Sequence, residues 1–239
     1  MSRSLTVSLG KKDHPAKITR TWSGPFDALV SQLLGNVRVS TDKAAGGWIC
    51  GAEFKGPRHG DNFVARHLLS FDYDHLPPEA VPRVLDACKG TAHLAYTTWS
   101  HTAESPRLRI WIPLLRPVSD DEFQAVSRKV ADRSGIELAA RESHVGPQFM
   151  WRPCHQEGAP FEVWKDTESP YLDVDKVLAE YWDWQDRTEW PHCSKADECH
   201  NTEIRVLKPL DKPGIIGLFN RTFTITAAIE RFGLPYRRD

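Results

Sequence analysis

The segment HLLSFDYDH, residues 67–75, sets two carboxylates two positions apart at the end of an apolar run. On a strand, successive side chains alternate between faces. Asp72 and Asp74 therefore point the same way as Leu68 and Ser70, and Leu69, Phe71 and Tyr73 point the other way, into a core. Two carboxylates on one strand end do not easily both stay ionised without a cation between them. Hard oxygen donors of this kind suit Mg²⁺ or Mn²⁺. Two such ions would activate an attacking hydroxyl and stabilise a leaving phosphate. An Asp-x-Asp at a strand end also serves, more simply, to cap a following helix.

A second segment, YTTWSHTAESPRLRIWIPL at residues 96–114, reads as a hairpin. His101 falls where its first strand ends, and Arg107 and Arg109 fall on one face of its second. A His and two Arg beside an acidic pair make a cradle for a triphosphate, because a guanidinium can hold two phosphate oxygens at once. A surface His and two solvated strand arginines are the plain alternative. A third acid, Glu142, precedes the apolar stretch QFMWRP and would complete a carboxylate trio, with Glu137 as its competitor. Lys43, in a Gly-rich loop, and Arg66, on the strand of the acids, are cations that could approach a template phosphate.

The cysteines raise zinc as a further chemistry. HCSKADECH, residues 192–200, holds His192, Cys193, Cys199 and His200. Five residues separate the two cysteines rather than the two to four common in structural zinc sites, and no matching pair lies elsewhere, so free thiols are the expectation. Trp182, Trp184 and Trp190 are read as core and interface residues rather than a base-stacking platform.

The elements that must carry these residues follow from periodicity. A helix is expected over residues 25–34, with Phe26, Leu29, Val30 and Leu33 on one face, Pro25 at its start and Gly35 at its stop. Residues 41–60 read as a Gly-rich loop, 63–73 as a strand, 77–88 as a helix and 93–100 as a strand. In 107–114, Leu108, Ile110, Ile112 and Leu114 share one strand face, and Arg107, Arg109 and Trp111 share the other. Ser119 and Glu122 form a capping box ahead of Phe123, Val126 and Val130. Residues 148–152 and 161–164 read as strands, and Asp173 caps a helix through Val177 and Tyr181. The order is mixed α+β rather than a strict βαβ alternation. A polar stretch at 168–173 suggests a boundary between residues 1–168 and a mainly helical extension over 169–239.

Composition narrows the partners. The 239 residues carry 31 Lys and Arg against 32 Asp and Glu, a formal net charge of −1, so any nucleic-acid site must be a local patch. No apolar run approaches the length of a membrane span, and the N-terminus lacks the apolar segment of a signal peptide. With an odd number of cysteines, five, the chain is expected to be a reduced, cytosolic protein.

Taken in order, these segments resemble the archaeo-eukaryotic primase superfamily, and especially the primase-polymerase domains of phage and prophage replication proteins. The first motif of that family is an apolar strand ending in Asp-x-Asp or Asp-x-Glu, matched here by LLSFDYD. The second is a small residue, any residue, then His at a strand end; WSH places His101 in the nucleotide-binding role, although Trp99 is not small. The third is an apolar residue followed by an acid; Glu142 precedes the right strand but follows Arg141, whereas Glu137 follows Ile136 and lies further away. The likeness covers residues 20–165.

The resemblance implies an RRM-like sheet carrying the acids and facing a smaller N-terminal α/β unit. It implies template-directed attack of a 3′-hydroxyl on the α-phosphate of a nucleoside triphosphate, on single-stranded DNA. Asp72, Asp74 and Glu142 (or Glu137) would hold two Mg²⁺ or Mn²⁺ ions, and His101, Arg107 and Arg109 would hold the incoming triphosphate. Residues 212–232, KPGIIGLFNRTFTITAAIERF, resemble the connector that precedes a helicase in such proteins, which makes a helicase an expected partner. The same acids would also serve a metal-dependent nuclease. A non-catalytic nucleic-acid-binding module of a replication complex is the third expectation.

Overall fold

The computed structural model describes residues 4–193 together with 222, 223, 227, 231 and 232. The chain divides into two compact units, Met1–Ala196 and Asp197–Asp239, and the first is described here. It is α+β and almost wholly antiparallel. Its elements are β1 (Leu5–Gly10), β2 (Ile18–Gly24), α1 (Phe26–Leu34), β3 (Arg38–Val39), β4 (Trp48–Cys50), β5 (Ala52–Phe54), β6 (Phe63–Tyr73), α2 (Val81–Asp86), β7 (His93–Thr97), β8 (Leu108–Val118), α3 (Asp120–Asp132), β9 (Met150–Trp151), β10 (Cys154–His155), β11 (Val163–Asp166) and α4 (Val174–Leu178).

Five strands form the larger sheet, in the order β11-β7-β8-β6-β5, and four form the smaller, in the order β2-β1-β4-β9. Strands β3 and β10 make a short parallel pair that sets Cys154 opposite Arg38. β6 and β8 are the two longest strands and pair in the middle of the large sheet. One face of this sheet turns Leu69, Phe71, Ile110 and Ile112 onto α2, α3 and α4, whose Val84, Phe123, Val126 and Val177 complete the core. The other face turns Leu68, Leu94, Tyr96 and Trp111 onto Leu5, Val7 and Ile49 of the small sheet and onto α1. The alternation read in residues 63–73 and 107–114 therefore sorts each side chain to the face the pattern predicts.

The local signals for the helices operate as expected. α1 buries Phe26, Leu29, Val30 and Leu33, with Pro25 before it and Gly35 after it. α3 opens on a reciprocal capping box, in which Glu122 N donates to Ser119 Oγ and Ser119 N donates to Glu122 Oε2. Asp120 and Asp121 in its first turn also match the positive end of the helix dipole. Asp173 caps α4, its side chain accepting from Lys176 N, but the helix ends at Leu178, short of the Tyr181 expected within it.

Three expectations need correction. Residues 41–60 are not all loop, since β4 and β5 lie within them and are joined at Gly51. The two strands carry the chain from the small sheet to the large one. A Cβ at Gly51 would stand 2.7 Å from Leu68 Cβ, and Gly51 O accepts from both His67 N and Leu68 N. A glycine is needed there because two backbones approach directly. The expected helix over 77–88 is a 3-10 turn, Pro78–Ala80, followed by the short α2. Residues beyond 168 do not part from the first unit at that point: Leu172, Val174, Val177, Leu178, Tyr181 and Cys193 are buried in the same core as Leu69 and Phe71. Most of the proposed helical extension, including all but five residues of the connector-like segment at 212–232, lies outside the described residues. No helix among the described residues is long and apolar enough to cross a membrane.

Candidate active site

The antiparallel register of β6 and β8 pairs Asp72 with Arg109. Two residues further along, past the end of β6, the same geometry brings Asp74 to Arg107. Arg109 Nη2 donates to Asp72 Oδ2 at 2.8 Å, and Arg107 Nη1 donates to Asp74 Oδ1 at 2.8 Å. Two parallel ion pairs thus lie on the sheet face that turns toward the small sheet. The two arginines, read from the sequence as a triphosphate cradle, are in this state the counter-charges of the two acids. That is how both carboxylates share one strand end.

The two pairs differ in setting. Arg109 retains 8% of its exposure, and its second Nη donates to Trp151 O at 2.7 Å. Trp151 belongs to β9 of the small sheet, so Arg109 also ties the two sheets together at the site. Burial opposes the charge on Arg109, but Asp72 and Tyr96 outweigh it, and the guanidinium titrates above its ordinary value. Asp72 is further held by its backbone: its N–H donates to Ser143 Oγ at 3.0 Å and its carbonyl accepts from Ala140 N at 2.7 Å. Its other carboxylate oxygen, Oδ1, is buried without a hydrogen-bond partner. Asp74 is more open, with 42% of its side chain exposed, and Arg107 also bonds His75. His75 has a φ of 56° and a ring held by Ser105 Oγ at 2.9 Å. A non-glycine residue in the left-handed region, immediately after the second acid, is a local strain of the sort that collects at functional sites.

Around the acids runs a cleft of about 240 Å³. Asp72, Asp74, Arg107, Arg109 and Glu142 all line it, joined by Lys43 and Arg152. Glu142 sits in the 3-10 turn Arg141–His144, the turn that also supplies Ser143. Glu137 lies in a separate turn, Ile136–Leu138, and does not line the cleft, so of the two competing third acids only Glu142 is brought there. Among the described residues, no three His, Cys, Asp or Glu side chains stand together closely enough to hold one metal ion. The carboxylate trio shares the cleft without closing on a point.

His101 is not part of the cleft lining. Its Nδ1 accepts from Arg107 N at 3.2 Å, so it supports the turn that delivers Arg107, and burial holds its imidazole below the ordinary value against the opposing pull of Glu162. Arg66 is excluded from any template contact. It is fully buried, donating to Leu68 O, Gly146 O, Gln148 O and Ser70 Oγ, with its guanidinium 4.6 Å from the centre of the Phe123 ring.

The residue that sequence reading missed is Arg152. Among the described residues, the only hydrogen-bond acceptor on its side chain is Gly46 O at 3.4 Å, and its Nε is buried without a partner. Burial, then the charge of Arg38, holds its guanidinium below the ordinary value. Neither Arg152 nor Lys43 pairs with a carboxylate among the described residues. The signal that might have found Arg152 is the cation in WRP, directly after the apolar strand that carries the third motif. Of the zinc-type cluster, Cys193 is fully buried beneath the Ile136 carbonyl, while Cys199 and His200 lie outside the described residues.

Fold and site together define an α+β domain of two packed antiparallel sheets, with a cleft between them that holds two acid–arginine pairs and two cations with no carboxylate partner among the described residues. The chain belongs to the family described as the VapE N-terminal domain, whose model matches residues 32–193. No curated protein matches it. Two solved structures are similar in fold. One is the AEP domain of the primase-polymerase of cyanophage S-2L, at 10% identity over 73% of this chain and 88% of that one, with a TM-score of 0.42. The other is the polymerase domain of Mycobacterium tuberculosis ligase D in complex with DNA, at 15% identity over 80% of this chain and 86% of that one, with a TM-score of 0.37.

Proposed function

We propose that this domain is a template-directed DNA primase-polymerase, a nucleotidyltransferase of the archaeo-eukaryotic primase type. The observation that carries the reading is Asp72 and Asp74 on one face of the β6 end, lining a cleft with the unpaired cations Arg152 and Lys43. Acids for a divalent ion and cations for a polyphosphate are the two halves of a phosphoryl-transfer site.

The residues fit a divalent cation. Asp72 offers Oδ1, a buried oxygen with no partner; Asp74 is half-exposed; Glu142 borders the same cleft. Mg²⁺ or Mn²⁺ held there would supply activation of the 3′-hydroxyl and neutralisation of the phosphate. The chain's own groups do the rest. Arg109, with both Nη atoms engaged, fixes the Asp72 carboxylate rather than reaching for substrate. Arg107, 22% exposed at its side chain, has the freedom to turn from Asp74 to a phosphate oxygen when a cation takes over that carboxylate. Arg152 and Lys43 face the cleft with charge to spare. His101 sets the backbone from which Arg107 projects. The nucleotides, the single-stranded template and a helicase partner belong to this same reading.

One observation favours a second reading. Both acids are neutralised by arginines, as they would be in a structural ion-pair network, and a non-catalytic nucleic-acid-binding module needs no more than that. Nucleotide incorporation on a single-stranded template, with Mg²⁺ or Mn²⁺ and with or without a primer, separates the two. Product from the natural chain, lost in a folded Asp72→Ala/Asp74→Ala chain, supports the polymerase. Equal product from both chains, or none from the natural chain under any of these conditions, refutes it.

A further inference from the structure

Arg152 borders two cavities. One is the acid cleft; the other, of about 470 Å³, lies beyond the Gly46–Gly47 loop, against the end of β1 and against β2. Its lining is strongly cationic. Lys11, Lys12, Arg20 and Arg152 contribute to it, opposed by one lining carboxylate, Asp13. In a chain with nearly equal numbers of acids and bases, that is a marked local excess.

Among the described residues, only Lys12 of these cations has an acidic partner: it bonds Asp42 at 2.6 Å. Lys11, Arg20 and Arg152 have no carboxylate partner among the described residues. Arg20 stands on β2, the outer strand of the small sheet, and is exposed, as is Lys11. The small residues Gly10, Ala44, Ala45, Gly46 and Gly47 share the lining with Trp48. Gly47 has a φ of +72°, and a Cβ there would stand 2.4 Å from Gly10 O. A Cβ at Gly10 would stand 2.1 Å from the Trp48 ring, so these glycines let the end of β1 and the Gly46–Gly47 loop pack together beneath the cations. Cations left without a carboxylate partner are what a phosphodiester backbone needs, because its affinity comes from phosphate contacts that carry no sequence information.

We infer that this groove is the track for the backbone of a single-stranded nucleic acid, delivered past Arg152 into the acid cleft. The inference rests on the polymerase reading for what happens at the cleft, but the groove stands or falls on binding alone. Lys11 and Arg20 grip phosphates at the far side, and Arg152 grips at the junction. The contacts are to backbone, so binding is indifferent to base sequence.

The test is binding of a fluorescent oligo(dT) to the full chain over a range of salt, without metal or nucleotide, for the natural protein, for Lys11→Glu/Arg20→Glu and for Lys11→Gln/Arg20→Gln. Both substituted residues are exposed, and neither belongs to a hydrophobic core. The charge reversal should weaken binding at least tenfold, and the neutral pair by less. Loss of two phosphate contacts should flatten the plot of log affinity against log salt by roughly 1 to 1.5, at about 0.7 for each contact on a single strand. Binding of ATP to the same variants should not change. The groove is overturned if oligo(dT) fails to bind the natural chain, if the reversal leaves affinity and slope as they were, or if duplex DNA or poly-glutamate binds as tightly as the single strand. A chain that binds oligo(dT) through Lys11 and Arg20 yet incorporates no nucleotide keeps the groove and loses the polymerase.

Discussion

Arg109 and Asp72 face each other directly across β8 and β6, joined by a 2.8 Å hydrogen bond, and the same guanidinium reaches over to Trp151 O in the other sheet. The pair is therefore a joint of the fold as well as part of the site. Removing the Asp72 charge strands a buried arginine. Asp72→Asn should lower stability by about 3 kcal/mol, the scale for breaking a buried pair. Asp72→Asn/Arg109→Met should recover part of that loss. Urea denaturation of the two single variants and the double measures the coupling, and strict additivity would show that the pair contributes nothing as a pair.

Arg107 and Asp74 form the open counterpart, and an exposed pair of this kind contributes about 0–1 kcal/mol. Arg107→Ala should leave the melting temperature nearly unchanged. It should also tighten Mn²⁺ binding, since Asp74 loses its competing cation, while raising the KM for nucleotide. Titration with Mn²⁺ followed by electron paramagnetic resonance reads the first effect apart from activity. Weaker Mn²⁺ binding in the variant would mean that Arg107 does not compete for Asp74.

Arg66 is a buried cation held by backbone carbonyls and Ser70 rather than by a carboxylate. Arg66→Met leaves those carbonyls without a donor, at a cost of about 1–3 kcal/mol for each one not reached by water. The variant should show a strongly lowered urea midpoint and little soluble protein, and single-strand affinity in whatever folds should match the natural chain. A stable Arg66→Met chain with weakened oligo(dT) binding would restore Arg66 to the nucleic-acid surface.

His67 and His101 give the stability a pH dependence of definite sign. Burial penalises the imidazolium of each, and the nearby Glu53 and Glu162 only partly offset it, so both titrate below the ordinary value of 6.5 in the folded chain. Below 6.5 the unfolded chain takes up protons that the folded chain still refuses, and stability falls with pH until the folded values are passed. His67→Gln/His101→Gln should flatten the decline of the urea midpoint between pH 7 and pH 5. An unchanged decline would assign it to other groups.

Gly51→Ala puts a methyl group against the Leu68 backbone at the crossing from the small sheet to the large one. The melting temperature should drop by the amount that overpacking of about 1–3 kcal/mol produces. Retention of the natural value would mean that β4 and β5 shift without cost.

Residues 63–73 and 107–118 announce themselves in the sequence because each strand buries one face against helices and the other against a second sheet, and alternation records both. The capping box of α3 and the faces of α1 are equally local, encoded within four to eight residues. The paired acids were legible for the same reason: a spacing of two on a strand fixes a common face. β1 and β2 went unread, and β4 and β5 were taken for loop. β4 and β5 are three residues each, and Trp48, Ile49 and Cys50 are all buried, so no alternation marks them. What the arginines do was not legible. Arg107 and Arg109 share a face by spacing, but that they neutralise Asp74 and Asp72 depends on the register of two strands more than thirty residues apart. That register is set by core packing on both faces and by the shift between Arg66 and Leu68. The place of Arg152, between an acid cleft and a basic groove, is likewise decided by β9 joining β4 at the edge of the small sheet. Spacing along the chain determined which acids stand together; the register of β6 on β8 decided which cations are consumed by them, and the packing of one sheet on another decided which are left for a ligand.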